Sequence, residues 1–238
     1  MKVAIFDFDG TLFPHETIPF LIKQFPKLGY PRHKQVMMIL KLLPEVVTYR
    51  LAKNPDKEAF RHKAVYRFLS MFNGMSEEAV ATFFSENVTS VLELLDPEIM
   101  AEIRHRKKDG YHTVLLSGCF EMLLKPLAQH LDVDQVIGTA LVFTQDHNHQ
   151  SIMKASSPIT IISGDEKMTA ARALNNQEQV DWAASAAYAD SYYDSPMLEL
   201  VGHKVAVNPD RKLTDIAKSK GWEILITEKG QAKVNYSD

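Results

Sequence analysis

Cysteine is almost absent. Cys119 is the only one in 238 residues, which excludes an internal disulfide and fits a reducing compartment. Charge of one sign is not in excess either, since the formal net charge is −3. The chain therefore has no global basic field, and no nucleic acid partner is expected. No apolar run reaches the ~20 residues of a membrane span; the longest, Val36 to Val47, contains Lys41 and Pro44. That run reads either as a cap or core helix or as a surface that meets an apolar substrate or lipid. The apolar stretch at the N-terminus is interrupted by Asp7 and Asp9 with no processing site after it, unlike a signal peptide, so a cytoplasmic location is expected. Repeats and low-complexity segments are missing as well.

What is present starts at Lys2-Val3-Ala4-Ile5-Phe6-Asp7-Phe8-Asp9-Gly10-Thr11-Leu12. The Val, Ile and Phe run is too short for a helix and reads as a buried strand. It ends in two acids whose side chains share a face in extended backbone, with Gly10 permitting the turn. Carboxylates that close repel unless a cation or shared proton intervenes; the bland alternative is a solvated turn. An EF-hand is excluded by spacing, because Gly10 comes too early and Ile18 stands where the bidentate Glu belongs.

With 45% apolar residues the chain can bury one good core and a smaller second one. From His15 to Leu95 only helical patterns occur: Ile18 to Lys27, Lys34 to Leu51, Lys57 to Phe72 and Ser76 to Leu95. Breaks fall at Gly29-Tyr30-Pro31, Asn54-Pro55 and Asn73-Gly74. In the last helix Val80, Phe83, Phe84, Val88, Val91, Leu92 and Leu95 recur at three- and four-residue steps, with Ser76 as N-cap. After Asp96 helices and strands alternate, the pattern of a parallel sheet covered by helices. Residues 139–162 read as a small hairpin flap. The first strand belongs to the later sheet, because alone among helices its backbone groups would go unpaired. This predicts an α/β core over 1–13 and 97–238 and an all-α insert over 14–96. An insert at that point lies over the ligand-binding end of the sheet, as a lid.

Polar residues stand at the strand ends: Asp7 with Asp9, then Ser117, then Asp190 with Asp194; Lys167 follows the flap. Phosphoryl transfer from a monoester needs a nucleophile, a metal, donors around the phosphate oxygens and an acid for the leaving alcohol. These residues can supply each. Asp7-Phe8-Asp9-Gly10-Thr11, Ser117-Gly118, Lys167 and Ala189-Asp190-Ser191-Tyr192-Tyr193-Asp194 resemble the four ordered motifs of the haloacid dehalogenase superfamily of phosphatases. The insert after the first motif resembles the cap of the phosphoserine-phosphatase-like branch, subfamily IB, as does Ser195-Pro196-Met197-Leu198-Glu199 with Val205-Ala206-Val207-Asn208-Pro209.

The resemblance implies a Rossmann-like parallel sheet with a C1-type cap. It implies Asp7 as the nucleophile that becomes aspartyl-phosphate, and Asp9 as the acid and then the base. Mg²⁺ is implied at Asp7, Asp9 (through its carbonyl as well) and Asp190, with Asp194 ordering a metal-bound water. Lys167 offsets charge on Asp7 and the phosphate, while Ser117, Gly118, Thr11 and Gly10 surround the phosphate. Ser163 and Glu166 match a capping box that puts Lys167 in a first helical turn, where the macrodipole disfavours a cation. Lys154, the competing lysine, is expected in solvent.

Glu16 matches the cap glutamate that meets the substrate amine in that branch. The carboxylate-gripping arginine, counted back from Ser76, falls at Phe68, with Arg67 on another helix face. Tyr193 replaces the usual Asn. The expected partner is thus a small phosphomonoester with an amine or hydroxyl near the phosphate; histidinol phosphate, phosphoethanolamine-like and lysolipid-like esters all fit. Phosphotransfer to another alcohol, or non-catalytic phosphate binding, are the competing functions. His147 and His149 read as a solvated hairpin tip, Arg104 to Lys108 as a solvated helix end, and Cys119 as a small residue lining the phosphate loop.

Overall fold

A computed structural model describes residues 1–53, 56–147, 149–176 and 179–230. The expected break at Asn54-Pro55 lies outside them. Six strands form one parallel sheet in the order β3-β2-β1-β6-β7-β8: β1 Val3–Phe6, β2 His112–Phe120, β3 Gln135–Thr139, β6 Ala186–Ala189, β7 His203–Val207 and β8 Glu223–Leu225. Alternate residues of β1 feed the two faces. Val3 and Ile5 pack with Val114, Leu116, Ala187 and Ala189 on one side, and Ala4 and Phe6 with Leu115, Ala186 and Tyr188 on the other. Helices cover both, which is why these strands read as continuous apolar runs.

The chain runs outward from β1 in opposite directions, to β2 on one side and β6 on the other. In sheets of this kind ligands bind in the crevice beyond the carboxyl ends of the strands where the order reverses. Asp7 and Asp190 directly follow the two strands that flank this crevice.

Between β1 and β2 the chain is helical: α1 Thr17–Gln24, α2 Arg32–Leu51, α3 Lys57–Leu69, α4 Glu77–Glu86, α5 Val88–Leu92 and α6 Pro97–Lys108. Ser76 caps α4 by accepting from Ala79 N at 3.2 Å. The expected single helix from Ser76 to Leu95 is broken at Asn87. There the buried amide donates to Phe83 O at 2.7 Å and competes with the helical ladder. Phe25, Phe68, Phe72, Phe83 and Phe84 are fully buried and reach the sheet through Phe120, whose ring lies 5.5 Å from Phe68 and 5.4 Å from Phe84. At about 1.5–3 kcal/mol for each buried ring, this cluster is large enough to hold the helical insert on the sheet.

Helix α2 keeps only Met38 fully buried and exposes Val36, Met37, Leu40, Leu43, Val47 and Leu51. The run thus forms a helix of the insert, as one of the two sequence readings has it, with apolar side chains left exposed. No helix of the described residues is long and apolar enough to cross a membrane.

The expected flap is a hairpin, β4 Phe143–Gln145 with β5 Ser151–Met153. It is tied to the insert where Met153 N donates to Met75 O at 2.8 Å and Gly74 N to Met153 O at 3.0 Å. His147 and His149 are exposed at its tip, as anticipated. The remaining helices are α7 Glu121–Leu131, α8 Gly164–Ala173, α9 Ser195–Leu200 and α10 Arg211–Lys220.

Candidate active site

Asp7 leaves β1 buried, with its Oδ1 accepting from Phe8 N at 2.7 Å. Its carboxylate, that of Asp190 and that of Asp194 offer oxygens that all lie within 4.8 Å of one another. Asp190 can come so close because residue 10 has no side chain. Gly10 takes φ +84°, and a Cβ there would lie 2.0 Å from Asp190 Oδ2. The Gly10 N–H donates to Phe13 O at 2.8 Å, and the glycine supplies space at this site. Thr11 is fully buried and its hydroxyl has no hydrogen-bond partner.

Lys167 reaches this cluster from the first turns of α8, with Nζ 2.8 Å from both Asp7 Oδ1 and Asp194 Oδ1. Burial acts to lower its pKa, but Asp194 and Asp7 outweigh that and hold the ammonium above the ordinary lysine value. Burial pushes the Asp194 pKa up to about 6, with Asp7 adding to the push against Lys167 and Arg61. Lys154, the competitor, is exposed on the flap segment. The capping box at α8 is not formed. Ser163 makes no side-chain cap and its buried hydroxyl is unpartnered; the turn closes through the Ser163 carbonyl, which accepts from Glu166 N at 3.1 Å.

Asp9 lines the same pocket but lies outside the close group of three carboxylates. Its Oδ1 accepts from Thr17 N at 3.1 Å and from the Thr17 hydroxyl, which places it at the N-terminus of α1. Burial pushes its pKa up to about 7, with Glu16 and Asp7 adding to the push against Thr17 and Arg61. A carboxyl poised there is suited to give and take a proton near neutrality.

Strand β2 does not stop at Leu116. It runs on to Phe120 with a register shift, Leu116 pairing with Ile137 and Phe120 with Thr139. Residues 117–119 of one strand thus stand opposite Gly138 alone on the other, a bulge that re-aims the intervening side chains. Ser117 in that bulge is buried, and its hydroxyl accepts from Cys119 N at 3.2 Å, leaving its own proton to donate. Gly118 O accepts from Thr139 Oγ1 at 2.9 Å. The Cys119 thiol is raised well above its ordinary pKa by burial and by Asp9, which removes it as a nucleophile.

One residue of the site was not anticipated. Arg61 of α3 lines the same pocket as Asp7, Asp9, Glu16, Asp190 and Asp194, and its Nη1 lies 3.6 Å from the position a Cβ on Gly118 would take. Burial opposes its charge, but Glu16, Asp9, Asp7 and Asp194 outweigh burial and raise its pKa. Phe68, the position reached by counting, is instead buried against Phe72 and Phe120, and Arg67 pairs with Glu45 at 2.8 Å on the insert itself. The missed signal is that Arg61 lies two helical turns before Phe68, on the inward stripe with Val65. Glu16, exposed at the start of α1, faces this guanidinium across the pocket.

Three carboxylates, a lysine and an arginine at the open end of a parallel sheet make an anion-binding, acid-rich site. The donor set suits a hard divalent ion, because oxygen ligands in mutual reach would otherwise repel. The model for haloacid dehalogenase-like hydrolases matches residues 4–199. The chain belongs to that family and is an enzyme of the hydrolase class. Among its relatives is the inhibition of morphological differentiation protein of Streptomyces azureus, 28% identical over 93% of this chain and 77% of that one. The phosphoserine phosphatase SerB1 of Mycobacterium tuberculosis is 47% identical over 64 residues, 27% of this chain and 21% of its own. A substrate-bound phosphoserine phosphatase structure superposes with TM-score 0.64 over 99% of this chain and 97% of that one, at 16% identity.

Proposed function

We propose that this chain is a Mg²⁺-dependent phosphatase that hydrolyses a phosphomonoester through an aspartyl-phosphate on Asp7. The observation that carries the reading is the bridging of Asp7 and Asp194 by one buried ammonium, at 2.8 Å to each, beside a third carboxylate. The carboxylates of Asp7, Asp190 and Asp194 and the carbonyl of Asp9 would hold Mg²⁺, which when bound neutralises charge on the phosphoryl group.

In the proposed reaction an Asp7 carboxylate oxygen attacks phosphorus, and the bond to the ester oxygen breaks. Asp9 gives its proton to the departing alkoxide. It then takes a proton from the water that attacks the acyl phosphate, which frees Asp7 and inorganic phosphate. Lys167 keeps Asp7 ionised and positioned, and with Arg61 attracts the dianionic group. Ser117 and the Gly118 segment face its oxygens, with Thr11 beside them. Glu16 meets an amine or hydroxyl near the ester oxygen. The helical insert over residues 14–96 acts as the cap that excludes water, and the reaction is placed in the cytoplasm.

The test is phosphate release from an activated aryl phosphate, with Mg²⁺ and with chelator, for the native chain and for Asp7→Asn. Release that needs the divalent ion and disappears in Asp7→Asn supports the reading; equal turnover in the variant rules out covalent catalysis by Asp7.

A further inference from the structure

Beside the candidate catalytic pocket lies a second cavity of 590 Å³, within the size range of small-molecule sites. One wall is a stripe of α2 formed by Gln35, Ile39, Leu42, Val46 and Tyr49, spaced four and three residues apart and so on one helix face. The facing walls are Ile18, Pro19 and Ile22 of α1 and Phe60, Ala64 and Val65 of α3. Its floor is Gly118, Cys119 and Phe120, the bulged end of β2. Asp9, Glu16 and Arg61 line both this cavity and the catalytic pocket. Asp9, Glu16 and Arg61 lie at the junction, whereas Lys23 and Gln35 are polar residues of the otherwise mainly apolar far walls.

A substrate confined to a phosphate and a few polar atoms has no use for such a chamber. A water-filled cavity with these walls would also give its waters few hydrogen-bond partners. We propose that the chamber receives the hydrocarbon part of an amphiphilic phosphomonoester, an alkyl or acyl chain of several carbons, whose phosphate sits at Asp7. The inference rests on the phosphatase reading and adds the chemical class of the alcohol. Arg61 and Lys167 attract the dianionic head and Glu16 meets a polar group next to it, while Leu42, Val46, Ile22 and Phe60 enclose the tail. Selection among esters then follows chain length, because burial of each methylene contributes independently of the chemistry at phosphorus.

The experiment uses the full chain with Mg²⁺ and a series of n-alkyl phosphates from ethyl to decyl, each below its micellar concentration, with an aryl phosphate and phosphoserine as references. kcat/KM is expected to rise about fourfold per methylene, the equivalent of ~0.8 kcal/mol each, until the cavity is filled. Hydrolysis of the aryl ester with a flat alkyl series, or a preference for phosphoserine over the longer alkyl esters, overturns this inference and leaves the phosphatase reading standing. Absence of phosphate release from every ester overturns both. Leu42→Gln and Val46→Asn are expected to lower the decyl-to-ethyl ratio of kcat/KM by about tenfold, and an unchanged ratio counts against the chamber as the tail site. As a measure independent of turnover, decylphosphonate is expected to bind the native chain with a negative heat-capacity change and more tightly than ethylphosphonate; equal affinities overturn the inference.

Discussion

Lys167 Nζ stands 2.8 Å from Asp7 Oδ1, both groups buried. Since the same nitrogen is 2.8 Å from Asp194, one ammonium offsets two carboxylates that would otherwise repel. Lys167→Met leaves those charges buried without their partner, at a cost of about 3 kcal/mol. In chelator, denaturant unfolding is expected to show that loss. Added Mg²⁺ should restore more stability to the variant than to the native chain, because a cation can replace the missing charge. Equal stabilisation of both proteins would mean that the lysine and the ion do not share this cluster.

Gly10 and Asp190 make a steric prediction. A methyl at residue 10 would lie 2.0 Å from Asp190 Oδ2, on backbone at φ +84°. Gly10→Ala is expected to lose about 1 kcal/mol from the left-handed backbone alone. It should also weaken divalent-ion binding by at least tenfold as Asp190 is displaced. Titration calorimetry with Mg²⁺ measures the second effect separately from the first, which thermal unfolding in chelator reports.

For Arg61 the prediction concerns substrate rather than fold. Its side chain projects from α3 into the pocket and is only half-buried, so Arg61→Ala should unfold near the native temperature. Loss of a charge-assisted contact to the phosphate is worth about 1.5–3 kcal/mol, a fall of roughly 10- to 100-fold in kcat/KM. Arg61→Lys should recover little of it, since a point charge cannot reproduce the guanidinium fork. Full activity in Arg61→Lys would reduce the residue to a diffuse positive charge.

The pH response can be read at the start of β3. Asp134 Oδ2 accepts from Thr113 N and from Thr113 Oγ1, each at 2.8 Å, and its Oδ1 lies 3.1 Å from Lys107. Burial acts to raise its pKa, but these partners prevail and hold it below the ordinary 3.8. A carboxyl depressed on folding contributes stability that is present above its unfolded pKa and lost as pH falls through the folded one. Asp134→Asn should therefore cost about 1 kcal/mol at pH 7, with the gap from the native chain narrowing below pH 4. A gap independent of pH would assign the cost to packing.

Three of the four motif positions were legible because each is short and tied to a backbone event: Asp7 ends an apolar strand, Asp190 follows Ala186 to Ala189, and Ser117-Gly118 follows Val114 to Leu116. Strand and helix alternation after Asp96 was legible for the same reason, as local periodicity. Less visible were the break at Asn87, where one amide hydrogen bond to Phe83 O competes with a strongly periodic stripe, and the continuation of β2 through its bulge. The capping box at Ser163 matched in letters but failed in geometry, because Gly164 adopts φ +50° and turns the helix start away from the hydroxyl.

The sequence by itself determined the α/β class, the helical insert between β1 and α6, and the identity of the acids and lysine gathered at the sheet end. These depend on hydrophobic period and on residues that are neighbours along the chain. Only the tertiary structure decided that Arg61 enters the pocket, that Asp9 turns to Thr17, that Gly10 makes room for Asp190, and that α1, α2 and α3 enclose an apolar chamber next to them. Each of those depends on distances between segments brought together by packing, for which spacing along one segment carries no signal.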